Sequence, residues 1–210
     1  MSVELIRSPT LRLLTAVRRR LGRLLRRHNS RTRLVGPYAD WHSAAAVGGG
    51  YDSYPVFEKT ADATRRLLRG EAAYERDSVL FDRVHYSWPL LSGLLWVAAQ
   101  HAGRLNVLDF GGALGSSLYQ NRVFLQALPE CRWNVIEQLP FVDLGRAEFS
   151  RDGLFFYPSI AACLAETTPQ VVLLSSVLGY LADPESLLTE LAAAPIEYLI
   201  LDRTAVWDGS

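Results

Sequence analysis

Between Asn106 and Thr204 the chain alternates five short β-rich runs with segments long enough to be helices, and this alternation restricts the fold more than any other feature. The runs are Val107–Phe110, Trp133–Ile136, Leu154–Tyr157, Val171–Leu174 and Tyr198–Leu201. Several are apolar on successive residues. A strand with one wet face alternates polar and apolar residues, whereas a continuous apolar run marks a strand covered on both faces, as parallel strands are when helices cross over between them. Ser116–Leu128, Val142–Phe149, Ile160–Glu166 and Pro184–Ala193 are the candidate crossovers. The pattern predicts an α/β fold: a doubly wound, mainly parallel sheet of about five strands with its ligands at the carboxyl ends of the strands.

Upstream of this region, Phe57–Leu68, Ser78–Val84 and the strongly apolar Trp88–His101 read as helices, the last with Pro89 in its first turn. The expected organisation is an arm and linker at 1–47, followed by a Rossmann-like domain at 48–210, itself a helical cap region at 48–103 and a sheet core at 104–210. From Asn29 to Gly50 no periodicity survives, and Gly36-Pro37 with Gly48-Gly49-Gly50 reads as linker.

The formal net charge of zero conceals a split. Residues 1–35 hold ten Arg against Glu4 alone, which leaves 12 basic and 21 acidic side chains for the rest. An acidic main body is a poor surface for phosphate backbones, so no nucleic acid is expected as a partner. In the arm, Leu11, Leu14, Val17, Leu21, Leu24 and Leu25 recur at helical spacing among arginines, making residues 1–28 a basic amphipathic helix. Such a helix suits the surface of an anionic membrane, or equally the chain's own acidic body. No apolar run reaches the roughly 18 residues that span a bilayer, and the arm lacks the apolar stretch of a secretion signal. Cys131 and Cys163 match no metal-ligand spacing and read as buried thiols. The expected location is the cytoplasm, peripheral to the inner membrane face if the arm binds lipid.

The strongest local motif is Asp109-Phe110-Gly111-Gly112-Ala113-Leu114-Gly115-Ser116-Ser117, directly after the first run and opening a helix. Glycines let such a turn approach a ligand closely while the N–H groups of the helix start face it. The turn starts with an acid, a polar anchor for a zwitterionic cofactor, and lacks the G-x-G-x-x-G spacing of a dinucleotide site. Glu137, 22 positions beyond Gly115, ends the second run, where a carboxylate accepts hydrogen bonds from two ribose hydroxyls. Gln138 follows it. Ser175 and Ser176, after the fourth run, emerge at the same edge; for each serine alone, capping of the next helix is the plainer reading.

Together these motifs resemble those of class I methyltransferases dependent on S-adenosyl-L-methionine. More narrowly, Gly50–Tyr54, Tyr74–Phe81, Tyr86–Leu91, Val107–Ser117, Val135–Gln138 and Leu201–Thr204 resemble a little-characterised bacterial family of that class, whose members often accompany surface-polysaccharide and lipopolysaccharide biosynthesis genes. The resemblance covers about residues 48–206. It implies Asp109, Gly111 and Gly115 around the methionine portion of the cofactor, Glu137 on the ribose and Ser175 near the reacting end, with Gly112, Gln138 and Ser176 as further cofactor-binding candidates. The acceptor it implies is a small molecule or glycan, in particular a sugar or glycolipid intermediate. Two departures stand out: Ala113 replaces a glycine of the usual turn, and the chain stops at Ser210 where two further strands, normally an antiparallel pair, are expected.

No catalytic residue follows from the resemblance. Methyl transfer to a hydroxyl needs an aligned nucleophile and a base; His85, Tyr86 and Tyr180 are the weak candidates, with a surface histidine as the plainer reading of His85 and a core tyrosine as an equal alternative to a pocket wall for Tyr180. Arg76 and Asp77 read as a surface pair. No metal site is expected. A non-catalytic cofactor-binding module or scaffold held at the membrane, and an NAD-dependent sugar-modifying enzyme, are the alternatives.

Overall fold

The computed structural model describes residues 38–48 and 54–204. The membrane-arm reading of residues 1–28 therefore lies outside the described residues. The elements are α1 (Trp41–Gly48), α2 (Tyr54–Leu68), β1 (Tyr74–Arg76), β2 (Val79–Phe81), α3 (Trp88–Gln100), β3 (Arg104–Phe110), α4 (Ser116–Leu125), β4 (Glu130–Ile136), α5 (Leu139–Leu144), β5 (Leu154–Tyr157), α6 (Ile160–Leu164), β6 (Val171–Ser175), α7 (Pro184–Ala193) and β7 (Tyr198–Asp202). A π turn over Gly145–Phe149 prolongs α5.

Five strands form one sheet in the order β5-β4-β3-β6-β7, and each of the four pairings is parallel. The chain winds outward from β3 through β4 to β5, then returns to the other side of β3 for β6 and β7. The strand order reverses between β3 and β6, the place where doubly wound sheets open a crevice at their carboxyl edge. Helices cover both faces. On one face Val107, Trp133, Val135, Phe156 and Leu173 pack against Leu90, Leu94 and Val97 of α3, Leu125 of α4, and Phe141 and Val142 of α5. On the other, Leu108, Ile136, Val172 and Leu174 meet Ile160 and Cys163 of α6 and Leu187 and Leu191 of α7. This double burial explains the unbroken apolar runs. Local signals set the helix starts: Asp183 caps α7 by accepting from the Ser186 amide, Ser159 caps α6 through the Ala162 amide, and proline opens α7 and α3.

Two expectations are corrected. Ser78–Val84 is not a helix: Val79–Phe81 pairs antiparallel with Tyr74–Arg76 in a hairpin, so the cap region is not wholly helical. Trp41–Gly48, inside the stretch read as linker, is helical, with Asp40 capping it through the Ser43 amide at 2.8 Å. Among the described residues no helix is long and apolar enough to cross a membrane.

Candidate functional site at the carboxyl edge of the sheet

Asp109, the penultimate residue of β3, is 1% exposed. Its Oδ2 accepts the Trp133 indole N–H from β4 at 2.8 Å. A Cβ on Gly112 would fall on this same carboxylate, so the turn folds directly over it and tolerates no side chain there. Burial raises the Asp109 pKa from 3.8 to about 7; the Trp133 hydrogen bond opposes the shift and the nearby Glu137 carboxylate adds to it. The carboxyl thus supports the glycine turn from beneath.

The turn itself departs from ordinary backbone. Gly111 has φ +71°, and a Cβ there would come within 2.7 Å of the Val177 side chain in the segment after β6. Ala113 takes a left-handed φ of 51°, costly for a residue with a side chain, and Gly115 is the N-cap of α4 with no side-chain cap. Glu137, immediately after β4, reaches back across the edge: Oε1 accepts the Ala113 amide at 3.2 Å, and Oε2 accepts the Gln138 amide at 2.9 Å. Burial raises its pKa and the two amides oppose the rise. The second acid and the glycine turn are therefore in contact. Gln138 is the N-cap of α5.

Beyond the switch point lies a second cluster. Ser175 Oγ donates to Asp202 Oδ2 at 2.7 Å, and Ser87 Oγ donates to Asp202 Oδ1 at 2.9 Å. The Ser176 amide bonds to the Asp202 carbonyl with Ser176 at φ 61°. Neither serine caps α7, a role Asp183 fills. Arg203 donates from Nε to Ser175 Oγ at 3.3 Å and from Nη1 to Asp77 Oδ2 at 3.5 Å, linking the hairpin turn to the strand ends. The expected pairing of Asp77 with Arg76 is replaced by this bond; the Arg76 guanidinium lies over the Tyr74 and Phe81 rings.

Of the weak catalytic candidates, His85 and Tyr86 make no hydrogen bond to the glycine turn or to Glu137 among the described residues. His85 is exposed, edge-on to Phe81, and its carbonyl accepts the Gln120 side-chain amide. Tyr86 packs with Trp88 and Phe124. Tyr180, in a short 3-10 turn, is 56% exposed, so it is not a core tyrosine. Cys131 and Cys163 are free thiols whose pKa values burial pushes up to about 11.

Glu75, Trp133, Asp202 and Arg203 belong to this edge although the sequence reading assigned none of them a role. Glu75, Asp202 and Arg203 fall within runs that carry the family resemblance, which was the available signal. What the edge offers chemically is a turn without side chains at Gly111 and Gly112, a carboxylate beside it, and small hydroxyl side chains across the switch point; the Gly111, Ala113 and Gly115 amides are engaged by the Ile136 carbonyl, Glu137 and the Gly112 carbonyl. Compared with protein-family models, with curated proteins and with solved structures, the chain matches none.

Proposed function

We propose that the chain binds S-adenosyl-L-methionine at this edge and is a methyltransferase of the class I type, acting on a sugar or glycolipid intermediate. The observation that supports the reading is the Glu137 carboxylate, fixed against the Ala113 amide of the glycine turn beside the switch point. A carboxylate has about four lone-pair positions; backbone amides occupy one on each oxygen, leaving acceptor capacity on both for the two hydroxyls of a ribose. The absence of side chains at Gly111 and Gly112 suits the close approach of an extended ligand, and the spacing does not suit a pyrophosphate. When bound, the cofactor supplies a methyl group on a sulfonium, open to in-line attack by oxygen or nitrogen. The protein's part is positioning: Glu137 and Gln138 at the ribose, the turn from Asp109 to Gly115 around the methionine portion, Ser175 and Ser176 flanking the reacting end.

One observation favours a non-catalytic cofactor module instead: Ala113 holds a left-handed conformation where the resembled turn has glycine. Glu137→Gln separates binding from neither reading but tests the cofactor site that both share. Gln keeps an acceptor for only one of the two backbone amides and removes the charge, so S-adenosylhomocysteine affinity should fall by about 1.5 to 3 kcal/mol and folding stability by about 1 to 3 kcal/mol. An unchanged dissociation constant removes Glu137 from the ribose. Turnover of a glycan acceptor then distinguishes enzyme from module. Membrane contact through residues 1–28, at the cytoplasmic face, belongs to the same proposal and rests on their leucine and arginine pattern. Co-sedimentation with anionic liposomes should be lost when the arm is deleted; if neither form sediments, that part is wrong.

A further inference from the structure

Glu75, the central residue of β1, is 1% exposed although it carries a carboxylate. Its Oε1 accepts the hydroxyl of Ser116, the first residue of α4 and the neighbour of Gly115. Its Oε2 is buried and has no hydrogen-bond partner. A buried carboxylate oxygen left unpaired is costly if the group is charged. Accordingly, burial raises the Glu75 pKa; the Ser116 bond and the nearby Ser78 amide oppose the shift and the Asp77 charge adds to it, although the Ser78 amide makes no well-formed hydrogen bond to Oε2. Two further buried atoms without partners, Tyr119 Oη and Asn121 Oδ1, lie on the same helix. Among the described residues, three of the four such side-chain atoms thus sit on or against α4.

A helix-capping role accounts for the Ser116 contact but not for Oε2. A carboxylate at a helix start is favoured by the N–H groups there, yet no amide of α4 satisfies this oxygen. Arg203 does not satisfy it either: its field reaches Glu75 and Asp109, but its guanidinium is engaged by Asp77, Asp202 and Ser175. Arg76, next in the chain, is directed over two aromatic rings. With Asp77, Asp109, Glu137 and Asp202 along the same edge, the surroundings favour a cationic donor and disfavour an anion.

We infer that Glu75 is a cofactor-binding residue whose carboxylate receives the α-ammonium of the cofactor's amino-acid end, which makes the β1–β2 hairpin part of the cofactor site. The inference rests on the cofactor reading above. In that reading the methionine portion lies along the turn that ends at Gly115, one residue from Ser116. The ammonium completes the hydrogen bonding of Oε2 and neutralises a charge the fold otherwise isolates.

The test is calorimetry on the full chain with three ligands: S-adenosylhomocysteine, its analogue lacking the α-amino group, and methylthioadenosine, which lacks the whole amino-acid end. Wild-type protein should bind the desamino analogue about 10- to 100-fold more weakly than S-adenosylhomocysteine, the range of a charge-assisted bond to a buried group. Glu75→Gln should weaken S-adenosylhomocysteine by a similar factor and leave methylthioadenosine within about twofold of wild type. Equal binding of the first two ligands by wild-type protein overturns the inference without any variant having to fold. So does an equal loss of all three ligands in Glu75→Gln. If wild-type protein binds no adenosyl ligand, the cofactor reading itself falls; if it binds methylthioadenosine but is indifferent to the amino group, that reading stands and Glu75 is removed from the site.

Discussion

Midway along the sheet and toward its amino ends, Asn134 is fully buried and fully used. It donates to Asn106 Oδ1 and the Val107 carbonyl at 2.7 and 2.8 Å and accepts Arg132 Nε at 2.9 Å. Asn106 passes the chain on to Thr167 and Thr168, and Arg132 to Tyr157 and Glu166. At the carboxyl ends, three carboxyls, Glu75, Asp109 and Glu137, have pKa values raised by burial, and one of their oxygens has no partner. There too Ala113, Ser176 and Arg203 hold left-handed backbone. The first network is centred on two amides and leaves no atom of Asn134 without a partner, as a polar core that specifies strand register should. The second is acidic and incomplete, features that a bound ligand would complete.

If the amino-side network serves the fold, Asn134→Ala should be the most damaging of the changes considered. It leaves the buried Val107 carbonyl and the half-buried Asn106 Oδ1 and Arg132 Nε without this partner, so urea denaturation should show a loss of about 2 to 4 kcal/mol. A loss below about 1 kcal/mol would break the comparison. The cost should also be independent of pH between 5 and 8, an interval about the ordinary range of globular stability.

Asp109 sharpens the contrast because its contribution titrates. Its folded pKa of about 7 lies above the ordinary 3.8, so the folded state prefers the protonated carboxyl. The associated stability is fully present below about pH 4 and is lost as pH rises through about 7. Asp109→Asn does not titrate and keeps an acceptor for the Trp133 indole. Its stability relative to wild type should therefore rise by about 1 to 3 kcal/mol between roughly pH 5 and pH 8. A difference independent of pH would mean that this carboxyl is not held out of water as described.

The sheet was more legible in the sequence than the site. Leu154–Tyr157 and Pro184–Ala193 have the bounds read from pattern alone, because a doubly covered strand and an Asp-Pro helix start are written in consecutive residues. The hairpin was missed. Its turn, Asp77-Ser78, places two successive residues at φ 51° and 65°, a conformation that sequence usually announces with glycine or asparagine. Helix α1 was hidden by flanking glycines, although Asp40 and the Ala44–Ala46 run were the signals of a capped helix. Gly111, Gly112 and Glu137 could be placed at one edge because each follows its strand directly. Glu75 could not, since its burial comes from the hairpin packing on α4, a contact between residues 41 positions apart. Ser175 was legible as an edge residue but not in its partner Asp202, which the return of β7 to the side of β6 supplies.

The central claim, that the acidic edge is a site for an adenosyl cofactor and not for a dinucleotide, is tested most directly by calorimetric titration of the full chain with S-adenosylhomocysteine and, separately, with NAD. Saturable binding of S-adenosylhomocysteine at one site, with no heat of binding from NAD, is the expected result. Binding of NAD, or of neither ligand, would contradict it.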